Sequence, residues 1–168
     1  SSLGLHYEAG AGPYTIVTGT HVLTVGGSVV NTSGTTQSLQ VQANGQAHFI
    51  NSASAGNLEI TTNLGGPSSG QLIFENNATA GSAVIGGNGT VAFRDTTSAG
   101  NATFNLGLPG SVFFYENSTA GSATFNALTT SSIFFRGNAT AANALFTLNG
   151  NGHLAFSGSS TAGNATIF

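Results

Sequence analysis

Apolar residues in this chain recur in pairs two positions apart, separated by runs of Gly, Ser, Thr and Asn. A phenylalanine marks the pattern at Phe49, Phe74, Phe93, Phe114, Phe135 and Phe156, with spacings of 25, 19, 21, 21 and 21 residues. Seven positions after each stands a small residue: Gly56, Gly81, Gly100, Gly121, Ala142 and Gly163. Four positions further comes a large apolar one: Ile60, Ile85, Phe104, Phe125, Phe146 and Ile167. The three columns shift together through a 25-residue and a 19-residue unit, so they define six copies of one repeat of about 21 residues.

Each copy carries two strand-like segments. The first pairs an apolar residue with the marker Phe, as in Leu72/Phe74, Val112/Phe114 and Ile133/Phe135. The second pairs a small residue with a large one, as in Ala83/Ile85, Ala123/Phe125 and Ala144/Phe146. A spacing of two places both members of a pair on one face of a strand. Helical spacing is absent, and frequent Gly penalises a helix. One such unit cannot bury its apolar face alone, but stacked units can, each strand bonding its equivalent one coil away. The expected fold is therefore all-β: a right-handed parallel β-solenoid with ladders of like residues inside. A β-propeller fits less well, because its blades take about 40 residues and four strands. Residues 46–168 read as the six-coil repeat, and residues 1–45 as one or two irregular N-terminal coils with strands around Ile16, Leu23, Val29 and Leu39.

Composition narrows the chemistry. Of 168 residues 25 are Gly and 4% are charged, with no Cys, Met or Trp and a formal net charge of −3. The two cations, Arg94 and Arg136, make no basic patch, which argues against nucleic acid. Apolar residues make up 39% and are evenly spaced, so low charge does not signal disorder here. The sequence contains no apolar run of about 18 residues, so no transmembrane segment is expected. Its opening, Ser1-Ser2-Leu3-Gly4, reads as a mature N-terminus after signal cleavage or as an arbitrary boundary.

The run Ser160-Thr161-Ala162-Gly163-Asn164-Ala165-Thr166-Ile167, with variants at 77–84 and 118–124, resembles the repeats of bacterial secreted β-solenoids. The likeness is to autotransporter-type passenger regions and related surface fibre or adhesin repeats, and it covers about residues 45–168. It implies export to the bacterial cell surface and a role as stalk, fibre or adhesive surface. No outer-membrane barrel, linker helix or anchor sequence accompanies it.

Candidate chemistry is sparse. Glu75, Arg94, Glu116 (shifted by one, after Tyr115) and Arg136 follow the Phe column and read as an exposed charge ladder rather than a glycosidase carboxylate pair. The one Asp, Asp95, is too few for calcium-binding turns. The histidines His6, His21, His48 and His153 fall at different repeat phases and suggest no metal site, and the Gly-rich stretches lack the Lys of a phosphate loop. No catalytic residue and no cofactor is expected. Asn-x-Ser/Thr sequons include those at Asn77, Asn101, Asn117, Asn138 and Asn164, which a glycosylating host could modify, although Asn and Thr also serve turns and ladders. A hydroxyl column, Thr79, Ser98, Thr119, Thr140 and Thr161, evokes ice-binding faces but lacks a second Thr column beside it.

Between the inward pairs of the first segment stand Ile73, Ala92, Phe113, Phe134 and Ala155, expected to point outward. Ile73, Phe113 and Phe134 form a candidate lateral contact. The leading expectation is an extracellular structural protein, self-associating end to end as a fibre subunit or serving as an adhesin stalk. The alternative is a glycan- or ice-binding module using an exposed Thr/Asn/aromatic face.

Overall fold

The computed structural model describes residues 4–63, 69–128 and 130–168. Among these every element is a strand, and all the paired strands run parallel in a β-solenoid of about 7 turns spaced roughly 21 residues apart. Three strips of sheet run along the stack. The first face has eight strands, from Thr15–Val17 through Thr103–Leu106 and Thr124–Ala127 to Thr166–Ile167. The second has seven, from Val22–Val25 through Ser111–Phe114 and Ser132–Phe135 to His153–Phe156.

The third face corrects the two-segment expectation. It begins with Leu5–Tyr7 paired to Val29–Asn31 and continues as single parallel bridges linking Ser54, Thr79, Ser98, Thr119, Thr140 and Thr161. The hydroxyl column is thus a sheet in its own right. From Ser54 to Thr140 each of its side chains is flanked by small buried residues, as in Ala78-Thr79-Ala80 and Ala139-Thr140-Ala141, whose alanines are 0% exposed. Small residues are needed there because two columns of rings fill the space opposite.

Those columns come from the other two faces. On the second face Phe49, Phe74, Phe93, Phe114 and Phe135 are fully buried, with neighbouring ring centroids 4.6–5.1 Å apart and nearly parallel planes. On the first face Ile60, Ile85, Phe104, Phe125 and Phe146 are likewise buried. The two stacks meet edge to face, Phe93 on Phe104 and Phe114 on Phe125, each at 6.1 Å. Offset-parallel and T-shaped pairs are the geometries that the aromatic quadrupole favours, at about 0.5–1.5 kcal/mol per pair beyond burial. In the last described coil Phe156 is half-buried and Ile167 is 50% exposed.

Corners are set by residues with positive φ. Gly56, Gly81, Gly100, Gly121 and Gly163, with Ala142 in the same column, turn the chain from the third face to the first. Asn51, Asn76, Asp95 and Glu116, then Gly137 and Gly158, turn it from the second to the third. The remaining corner, from first face to second, absorbs the variation in repeat length. It spans Thr62 to Gln71 in the 25-residue unit and only Gly87 to Thr90 in the 19-residue unit. Strand registers on either side are therefore undisturbed.

Candidate interaction face

The outward side of the second face gathers the chain's unusual side chains. Register pairs His48, Ile73, Ala92, Phe113, Phe134 and Ala155 in one axial column. One residue beyond each strand a second column runs Glu75, Arg94, Tyr115 and Arg136. Both arginines of the chain therefore lie on this face.

Burial corrects the expected outward patch. Ile73 and Ala92 are only 5% and 6% exposed, although their side chains leave the strand on the outer side. Phe113 and Phe134 are half-buried and stacked on each other at 5.1 Å, and Phe113 stacks on Tyr115 at 5.8 Å. The Arg136 guanidinium carbon lies 5.5 Å from the centroids of Phe113 and Phe134 and 5.8 Å from that of Tyr115. An exposed cation resting against three rings is held by their electron-rich faces. His153 completes the group, 5.5 Å from Phe134.

The charge ladder is also rearranged. Glu75 bridges His48 Nδ1 at 3.1 Å and Arg94 Nη1 at 3.4 Å. Glu116 does not continue that row; Tyr115 occupies the position instead. Glu116 sits with Asp95 in the positive-φ corner column, where its carboxylate accepts the Asp95 amide at 3.0 Å and Asp95 accepts that of Asn76 at 2.7 Å. Each carboxylate thus satisfies a backbone donor of the preceding coil, and the same bond links the Asn76 side chain to the Asn51 amide at 3.0 Å. The one-residue shift of Glu116 is visible in the sequence, but the amide its carboxylate reaches is set by the stacking of one coil on the next.

The hydroxyl column likewise works for the backbone. Thr79, Ser98, Thr119 and Thr140 accept from the amides of Gly81, Gly100, Gly121 and Ala142 at 3.0–3.1 Å. The sequon residues Asn77, Asn101, Asn117, Asn138 and Asn164 are all exposed at corners. Three of them join cross-coil amide ladders: Asn138 donates to Asn117 at 3.2 Å, and Asn164 donates to Asn143 at 3.3 Å. Beside the second face a shallow polar cleft is lined by Asn44, Gly45, Gln46, Ser69 and Gln71.

Among the described residues no group of three or more His, Asp or Glu side chains converges as a metal site. No helix among them is long and apolar enough to cross a membrane. Comparison with protein-family models, with curated proteins and with solved structures finds no match to this chain.

Proposed function

We propose that the chain is a structural element of a bacterial cell's exterior, a stiff β-solenoid rod that serves as an adhesin stalk or stacks end to end as a fibre subunit. One observation carries this reading: the core is a set of unbroken ladders, Phe on Phe and Ile or Phe on Ile or Phe, repeated coil after coil. Such a core adds length at a constant increment of about 4.8 Å per coil without changing cross-section. A rod is what that construction makes best. Any end coil presents a row of unpaired strand edges on which a further coil, of the same chain or another, can add. The resemblance of the Ser-Thr-Ala-Gly-Asn-Ala-Thr repeat to bacterial secreted solenoids supports placement outside the cell. This reading gives the chain no catalytic role and no cofactor.

Two measurements on the same protein test it. Immunogold labelling and protease shaving of intact source cells should find it on the surface, and its absence there would overturn the reading. Negative-stain microscopy of the purified chain then separates the two forms. Filaments mean a fibre subunit, and short single rods mean a stalk.

A second reading, glycan binding, is favoured by the cleft of Asn44, Gln46, Ser69 and Gln71, whose amides and hydroxyl suit sugar hydroxyls. A glycan array with Gln71→Ala as control checks it. Ice binding is less well supported, because the hydroxyls of the Thr column already accept backbone amides.

A further inference from the structure

The second face has a pattern that is complementary to itself. Count coils by their core phenylalanine, from Phe49 as coil one to Phe156 as coil six. Coil two then presents Ile73 and Glu75, coil three Ala92 and Arg94, coil four Phe113 and Tyr115, coil five Phe134 and Arg136. Acid over small or covered side chains stands toward one end, and a cation with large half-exposed rings toward the other.

Two such faces can meet about a two-fold axis lying along the strand direction. The rods then run antiparallel, coil two opposes coil five and coil three opposes coil four. Glu75 faces Arg136 of the second copy and Arg94 faces Tyr115, while the half-exposed Phe113 and Phe134 lie over the low ground above the covered Ala92 and Ile73. Opposite charges meet, a guanidinium meets a ring, and a small residue meets a large one at the axis. With the rods parallel instead, coil two meets coil two. Glu75 and Arg136 then face Gln71 and Ser132, and the charge match is lost. Asp95 and Glu116 are turned along the axis to hold the Asn76 and Asp95 amides, so they stay at the rim of either arrangement.

We infer that this face is an interface between two copies of the chain, paired side by side and antiparallel. Arg, Tyr and Phe are the residues that protein interfaces concentrate at their centres, and in a chain with 4% charge both arginines are spent here. The footprint is about 24 Å by 16 Å, below the roughly 800 Å² per partner of a standard interface, so one pair of rods associates weakly. Repetition along longer rods multiplies the contact. The inference deepens the structural-rod reading by naming a lateral partner, but it concerns the isolated chain and survives or fails independently of where the cell places it.

Sedimentation equilibrium of the 168-residue chain between about 10 and 500 µM tests it, a range set by weak interfaces of this size. Wild type should show reversible dimerisation. Arg136→Glu and Glu75→Arg should each weaken it at least about tenfold, and the double charge swap should restore most of it. The two positions lie three coils apart in one chain, about 14 Å, so rescue reports a contact between copies. Circular dichroism checks that each variant keeps its β-structure. Should a swap unfold the chain, the wild-type sequence being free of Cys allows a second route. Gln71→Cys mixed with Ser132→Cys should form the mixed disulfide faster than either forms its own homodimer. A monomer throughout the concentration range, a double swap as weak as its parents, or preferential homodimer disulfides would each overturn the proposal.

Discussion

Gly121 stands at φ +62° at the corner into the first face, and a Cβ there would lie 2.8 Å from the Gly100 carbonyl oxygen of the preceding coil. Left-handed backbone costs an L-residue about 1–2 kcal/mol. The chain accepts this once in the same column, at Ala142, so the strain is real but bearable. Gly121→Ala should lower stability by about 1–2 kcal/mol in urea unfolding without altering the far-ultraviolet spectrum. Tyr7 raises a different question. Its hydroxyl is buried without a hydrogen-bond partner among the described residues, and burial pushes the phenol above its ordinary value of 10.0. The neutral form is the one the fold favours. Its contribution is therefore full below about pH 10 and is lost as pH rises through the raised value in the folded chain. Tyr7→Phe should be neutral or stabilising by up to about 1 kcal/mol at pH 7, since it removes an unsatisfied group while keeping the ring. It should also flatten the fall in melting temperature above about pH 10.

At the scale of elements, each face is a ladder, and position along the ladder sets the energetic weight of a rung. Phe114 has parallel rings above and below and an edge contact with Phe125, all in a fully buried site. Phe156 has one parallel neighbour, Phe135, and is half-buried. Phe114→Ala should cost about 3–5 kcal/mol, as for a buried aromatic, and Phe156→Ala clearly less. Because coils couple to their nearest neighbours, the loss at Phe114 should loosen the coils on both sides of it. Amide exchange resolved along the chain measures this. Equal losses for the two variants would show that the stack unfolds as one block.

The inward pairs of the first and second faces were legible in the chain, since alternation of two gives the buried side directly. The third face was less so. Its inward residues are Ala, Ser and Thr, whose weak hydrophobic contrast makes Ala78-Thr79-Ala80 look like a turn, and its sheet is mostly one bridge wide. The polar ladders of the corners were hidden for another reason. Which Asn, Asp or Glu reaches which amide depends on the rise of one coil over the last, a quantity no local pattern contains.

For the whole molecule, the interaction face shows how the two levels divide. The residues that compose it, Glu75, Arg94, Phe113, Tyr115, Phe134 and Arg136, lie up to three repeats apart, and only stacking brings them onto one surface. The sequence by itself determined a parallel solenoid of about 21 residues per turn, because identical offsets repeated through irregular spacings admit no other economical burial of the Phe and Ile columns. It also determined that few charges would have to serve a long surface. Tertiary structure alone decided that Ile73 and Ala92 are covered where they were expected to be free. It also turned Glu116 along the axis to an amide and left Arg136 against three rings rather than a carboxylate. The physical reason is common to these cases. Alternation along a strand fixes which way a side chain departs, but its neighbours one coil up and one coil down fix what it meets.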